Sequence, residues 1–147
     1  KLLTIKSVSP FLFFDKKAQK GNDDENIKFK GYVLDMDGSP VFKYLVNDIE
    51  VSDRIWSVEE DTQQLNRKMG ILSHSRPVGA MFRLAHGSSI QRLKKNRYSI
   101  NGRSYVITIN SKLRSEPIIL KTEEGVDLVI PLASLKGSDE IDYSIVW

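Results

Sequence analysis

An all-β fold, an antiparallel sandwich (jelly-roll-like or related) with few or no helices, is predicted by three features of this 147-residue chain. The stretch from Phe29 to Val46 forms two alternating segments around one tight turn. Further short alternating segments follow, with turn signals at roughly 8–12-residue spacing, the pattern of sandwiches and barrels. No long segment carries apolar residues at helical spacing; a turn around Ile90 to Lys94 is the one exception.

Side chains in a strand alternate between faces, which justifies each element in turn. Lys1 to Val8 alternates weakly and is expected to open the domain as a strand. Phe11-Leu12-Phe13-Phe14 is a short apolar run that needs cover, and the polar Asp15 to Asn26 is a surface loop. In the first hairpin Phe29, Gly31 and Val33 are expected on one face and Lys30, Tyr32 and Leu34 on the other. After the turn, Phe42, Tyr44 and Val46 alternate with Val41, Lys43 and Leu45, so Tyr32 can meet Phe42 or Tyr44 across the pair. Asp35 to Ser39 is turn chemistry: Asp tolerates tight turns and Gly38 supplies positive φ. Pro40 opens the second strand, where a missing N–H is tolerated.

Asp48 to Ser57 continues the sheet, and Glu59-Glu60-Asp61 is a solvated turn. Leu65 to Leu72 and Val78 to Ala85 are two more strands, separated by Ser73 to Pro77. Asn101-Gly102 between alternating residues predicts a two-residue hairpin turn, which pairs Ile100 with Arg103 and Tyr98 with Tyr105. Both tyrosines then face the core, with Arg97, Ser99, Ser104 and Thr108 on the other face. Ile118 to Leu120 and Val126 to Leu132 form another hairpin, with Leu128 and Ile130 opposite in facing to Asp127 and Val129. Pro131 to Leu135 suits one short helical turn, and Ile141 to Trp147 closes the chain as a strand.

The chain has the length of one ordinary domain with a core of its own. It contains no Cys, which removes disulfides, zinc ribbons, thiol nucleophiles and covalent haem attachment. No apolar run reaches the roughly 18–20 residues that span a bilayer, so no transmembrane segment is expected. Because the chain starts at Lys1 rather than Met, a processed or excised piece of a larger protein is expected.

The net charge of +3 conceals a partition. From Thr62 to Ser115 there are eleven Lys and Arg and no acid; all nineteen acids lie elsewhere, against eleven bases. Two readings follow. A sandwich can interleave basic and acidic strands so that they neutralise one another, the reading favoured here. Alternatively the segment forms a basic face for an anionic glycan, an acidic domain or nucleic acid.

Catalytic chemistry finds little support. His74 and His86 are the two histidines, and no GxSxG elbow is present. A carboxylate-based glycoside-active enzyme is the weaker alternative, because Asp23-Asp24-Glu25 and Glu59-Glu60-Asp61 are explained by hydration in turns. Asp35-x-Asp37-Gly38 looks like the start of a calcium loop, making Asp35 and Asp37 weak metal candidates, but the strand from Pro40 takes the place of the later acid. No cofactor is called for.

Binding is the more plausible chemistry. Trp56 beside Arg54 and Asp53 suits stacking on a sugar ring with hydrogen bonds to its hydroxyls; the favoured alternative is a plug for the core. Lys94-Lys95-Asn96-Arg97 is the densest basic run, and on a strand Lys95 and Arg97 would pair outward. Candidate ligand-binding residues are therefore Trp56, Arg54, Lys95 and Arg97, with an acidic polysaccharide as the ligand. Nucleic acid ranks low, because Tyr98 and Tyr105 face inward instead of flanking the cations.

The run Phe29-Lys30-Gly31-Tyr32-Val33-Leu34-Asp35 through Gly38-Ser39-Pro40-Val41-Phe42-Lys43-Tyr44 fits a GYxLDxxGxPxFxY hairpin. It resembles a β-rich module of large secreted bacterial proteins that combine sugar-dehydrogenase-like propeller domains with c-type cytochrome (haem-binding) domains. Asp48 to Asp53 and Leu65-Asn66-Arg67-Lys68 extend the likeness, which covers about residues 29–69. The resemblance implies a non-catalytic accessory domain in an extracytoplasmic oxidoreductase, periplasmic or secreted, whose partners are neighbouring domains of the same polypeptide. Haem and catalysis would lie in those other domains, since this chain has neither CxxCH nor propeller repeats.

Overall fold

A computed structural model describes residues 11–13, 27–46, 49–57, 63–72, 79–136 and 139–147 of the chain. The elements expected over residues 1–8, 15–26, 59–61 and 73–77 lie outside the described residues. The strands are β1 (Phe11–Phe13), β2 (Ile27–Leu34), β3 (Pro40–Val46), β4 (Ile49–Ser57), β5 (Gln64–Ile71), β6 (Ala80–Gly87), β7 (Ile90–Lys94), β8 (Arg97–Ile100), β9 (Tyr105–Ile109), β10 (Ile118–Thr122), β11 (Gly125–Pro131) and β12 (Glu140–Val146). They build two antiparallel sheets, one of four strands in the order β1-β6-β11-β10, the other of eight in the order β2-β3-β4-β5-β12-β9-β8-β7. The domain is an all-β sandwich. A 3-10 turn at Leu132–Ser134 is its helical element among the described residues, within the span where a short helical turn is expected.

The first hairpin has the predicted turn, and chemistry explains its shape. The Asp35 carboxylate accepts the N–H groups of Asp37 and Ser39, at 3.0 and 2.9 Å, and Gly38 takes φ +77°. Tyr32 pairs with Phe42. The facing of β2 differs from strict alternation, because the register shifts between Phe29 and Gly31 and Gly31 takes φ +101°. This bulge adds one residue, so Phe29 joins Tyr32 and not Val33 on a common face.

The second hairpin turns differently from the expected form. Ile100 pairs with Tyr105 and Tyr98 with Ile107, leaving a four-residue loop instead of two. Asn101, Gly102 and Arg103 all take positive φ, and Ser104 donates its N–H to the Ile100 carbonyl at 3.0 Å. The Asn101 side chain is held from outside the hairpin by the N–H and hydroxyl of Ser88, at 2.7 and 2.9 Å. A slip of two residues preserves side-chain parity, so Tyr98 still faces the core, as predicted. Ile90 to Lys94 is a strand and not a helical turn: Ile90 pairs with Ile100, and Asn96 at φ +62° closes the β7–β8 hairpin.

The core lies between the sheets. The larger sheet contributes Val46, Ile49, Val51, Met69, Ile71, Tyr98, Ile100, Ile107, Ile109, Ile141 and Tyr143. Phe82, Leu84, Leu128 and Ile130 answer from the smaller one, with Leu132 from the 3-10 turn and Leu135 just after it. Each such side chain contributes about 1.5–3 kcal/mol on leaving water. The sheets approach each other where β6 and β11 meet β7 and β8. The larger sheet runs on past the core through β3 to β2, an edge strand whose side chains are mostly exposed.

Strand order also explains the charge partition. Basic β5 lies between β4 and β12, which places Arg67 beside Asp53 (2.7 Å) and Lys68 beside Glu140 (3.9 Å). Arg83 meets Asp127 at 3.4 Å and Arg92 meets Glu116 at 2.7 Å. Interleaving neutralises this part of the basic segment. Another part, Lys95, Lys112 and Arg114, gathers in one place.

Candidate functional site

Consider first the outer face of the eight-stranded sheet. Register aligns Trp56 with Asn66, Asn66 with Ser144, Ser144 with Thr108 and Thr108 with Arg97. Directly opposed residues share a face, so these five side chains form one row across five strands. Four strand spacings make the row about 19 Å long. The middle of the row is tied to its surroundings: Ser144 Oγ donates to Asn66 Oδ1 (2.7 Å), Gln64 Nε2 donates to the same oxygen (3.0 Å), and Asn110 Nδ2 donates to Ser144 Oγ (3.1 Å) and Asp142 Oδ1 (3.2 Å).

Trp56 is therefore a half-buried residue of the outer face and not a core plug, because its position in β4 has the opposite parity to Val51 and Ile49. The Arg54 guanidinium lies over its ring, 4.4 Å from the centroid. Arg54 is in turn held by Asp35 at 2.6 Å and Asp37 at 3.3 Å. The two aspartates weighed as metal ligands thus surround a guanidinium, and the hairpin turn is clamped onto β4 by charge. Among the described residues no three His, Cys, Asp or Glu gather as a metal-binding group.

Beside the Arg97 end of the row lies an open groove of about 470 Å³. Among the described residues four cations line it, Lys95, Lys112, Arg114 and Lys136, with one acid, Glu116. That acid is bound at both oxygens by Arg92, at 2.7 and 3.2 Å. Lys95 lies in the turn between β7 and β8, so it does not pair with Arg97 along a strand, as alternation would have it. The segment between β9 and β10 carries Lys112 and Arg114 and is pinned along its length. Asn110 N–H donates to the Asp142 carbonyl (2.8 Å), Ser111 Oγ accepts the Asp142 N–H (2.8 Å), Leu113 bridges Leu135, and Arg114 N–H donates to the Ser134 carbonyl (2.8 Å). Ser115 and Ser134 add a short hydroxyl–hydroxyl bond. The groove's backbone is set before any ligand arrives. Asn110 lines the groove and donates to Ser144 of the row, which makes the two continuous.

A second surface occupies the inner face of the sheet, beyond the core. There Phe29 packs on Phe42 and Tyr44, and Tyr32 on Phe42, with ring centroids 5.6–6.3 Å apart and planes tilted by 46–57°. Phe29, Tyr32 and Leu34 remain 60%, 61% and 63% exposed. At the border with the core sits a charged cluster. Arg67 grips the buried Asp53 with two bonds, Nε to Oδ1 at 2.9 Å and the guanidinium NH2 to Oδ2 at 2.7 Å, and donates to the Tyr143 hydroxyl at 3.3 Å. Burial pulls the Arg67 pKa down, but the hydrogen bond to Asp53 and the neighbouring Tyr143 and Asp53 charges outweigh it, so the net shift is upward. Burial raises Tyr143, against the opposing influence of Arg67, and it raises Tyr44 with help from the Asp53 charge.

On the four-stranded sheet, His86 Nδ1 lies 2.5 Å from Asp127 Oδ1, directly across the β6–β11 pair, with Arg83 on the other carboxylate oxygen. The Asp127 side chain is nearly fully buried and His86 is part-exposed.

Of the sequence candidates, Trp56, Arg54 and Arg97 share the outer face, and Lys95 enters the groove at one end of it. Lys112, Arg114 and Lys136 were not singled out in sequence. A count of cations between residues 92 and 115 could have drawn attention to the first two; Lys136 arrives from a distant segment and carries no local signal. Family models, curated proteins and solved structures contain no match to the chain.

Proposed function

We propose that this domain is a non-catalytic accessory module that docks and positions neighbouring domains of a larger extracytoplasmic oxidoreductase polypeptide. The observation that carries the reading is the exposed aromatic wing of β2 and β3. Its inner face presents Ile27, Phe29, Tyr32, Leu34, Phe42 and Tyr44, none of them charged. The tilted rings pack like half of a hydrophobic core and not like a flat platform for a sugar. Strand addition at β2, an edge strand among the described residues, is opposed by its bulge and by Lys28 and Lys30, so the partner lies on the face of the wing.

Area selects the kind of partner. At about 60% exposure, two aromatic rings and Leu34, with part of Ile27, offer on the order of 400 Å². An interface of that size on each side totals roughly 800 Å², short of the 1,200 Å² or so of a free-standing complex. A covalently linked neighbour needs less, because the linker supplies a high effective concentration. The resemblance of residues 29–69 to a module of multidomain oxidoreductases supports the same partner and supplies the extracytoplasmic setting.

Hydrogen exchange of residues 27–46 tests the reading, in residues 1–147 alone and in the complete polypeptide the gene encodes. Slower exchange of the wing in the complete polypeptide, reversed by Phe29→Ser with Tyr32→Ser, is expected. Equal exchange in both would refute docking. Concentration-dependent dimerisation of residues 1–147 abolished by the same substitutions would replace the tethered neighbour with a second copy.

A further inference from the structure

We infer that the outer face of the eight-stranded sheet binds an acidic polysaccharide, whose anionic groups enter the groove of Lys95, Lys112, Arg114 and Lys136 and whose hydroxyls meet Asn110 and the adjoining row at Ser144 and Asn66. This site is separate from the docking wing, which uses the inner face of the same sheet at its far end.

Charge is the first argument. Among the described residues four cations around one open groove face a single carboxylate, and Arg92 already occupies both of its oxygens. The cations come from three separate segments, the β7–β8 turn, the β9–β10 segment and the chain after the 3-10 turn. Bringing like charges together costs energy that an anionic ligand recovers. The pinned backbone limits the ordering cost of binding.

Hydrogen bonding gives the ligand its class. Asn96, Asn110, Ser111 and Ser115 line the groove among the cations, the mixture that recognises hydroxyls next to acidic groups. The bonds of the row use Asn66's carbonyl and Asn110's amide NH2, so the NH2 of Asn66 and the carbonyl of Asn110 have no part in them. With the groove, the row makes a track about 20 Å or more long, suited to a polymer over a single anion.

A nucleic acid fits less well. Among the described residues no aromatic side chain lines the groove, so these offer bases nothing to stack on. Tyr98 is buried in the core, and the Trp56 ring carries the Arg54 guanidinium on one face.

The test uses residues 1–147 with four probes: polygalacturonate, heparin, neutral dextran and an oligothymidylate, each at low salt and at about 0.15 M salt. Polygalacturonate or heparin should bind, weakening as salt rises, and dextran should not. Comparison of those two shows whether sulfate groups add to the affinity that carboxylates supply. Lys112→Glu with Arg114→Glu, both on exposed side chains, should reduce affinity at least about tenfold while circular dichroism stays unchanged. Lys95→Glu should act in the same direction, and Phe29→Ser with Tyr32→Ser should leave affinity as it was. Absence of binding at low salt, binding that survives the charge reversals, or tighter binding of oligothymidylate than of either glycan would each overturn the assignment.

Discussion

Replacing Asp53 by Ala removes the acid from the pair that joins the core to the wing. Asp53 is 5% exposed and receives two bonds from Arg67, which also reaches the Tyr143 hydroxyl. Its loss strands a guanidinium among Tyr44, Tyr143 and Ile55. Breaking a buried pair from one side costs about 3–5 kcal/mol. The Arg67 side chain is 27% exposed, so water replaces part of what is lost and the expected cost is about 3 kcal/mol. For a domain of this size that lowers Tm by about 10 °C. Chemical denaturation measures the free energy and calorimetry the midpoint. The companion variant, Asp53→Leu with Arg67→Met, removes both charges and fills the space, so its stability should return to within about 1 kcal/mol of the parent. A single substitution costing under about 1 kcal/mol, or a double variant less stable than the single, would refute the reasoning.

Two further outcomes follow from backbone geometry and burial. Gly125→Ala places a Cβ 2.5 Å from the Gly87 carbonyl oxygen at φ +143°, whereas Gly38→Ala meets open space at φ +77°. The first should cost more than about 3 kcal/mol and the second about 1–2 kcal/mol, in thermal denaturation, and the reverse ranking would sink the argument. Tyr143, Tyr98, Tyr105 and Tyr44 are all held above the ordinary tyrosine pKa, chiefly by burial. A raised folded-state pKa gives stability that is fully present below the unfolded value of about 10 and lost as pH climbs towards the folded values. Urea denaturation should therefore show stability declining above about pH 10. Tyr143→Phe should make that decline shallower, and an unchanged slope would count against burial as its cause.

The features legible in the sequence are those whose causes are local. Alternation of apolar and polar residues along β4 and β12 is enough to assign strands, because period-two facing is a property of the extended chain itself. Asp35 and Gly38 specify their turn through bonds and dihedrals spanning five residues. Pro131 with the residues after it likewise indicates a helical turn. A bulge already escapes local reading: Gly31 permits positive φ, but only pairing with β3 turns that freedom into a change of facing for Phe29. The four-residue loop at Asn101 escapes it too, since its anchor is Ser88, thirteen residues away.

Tertiary structure decided the rest. The sequence by itself determined the β class, the first hairpin turn and an excess of cations between residues 62 and 115. Which cations are neutralised depended on strand order. Inserting β12 between β5 and β9 brings Glu140 to Lys68 and places Ser144 between Asn66 and Thr108. Lys136 reaches Lys95, Lys112 and Arg114 for the same reason: the β9–β10 segment folds against β12 and the 3-10 turn. The row and groove are built from strand pairings between segments tens of residues apart. Such pairings are chosen by which faces can be buried together across the whole sandwich, and no short window of sequence contains that choice.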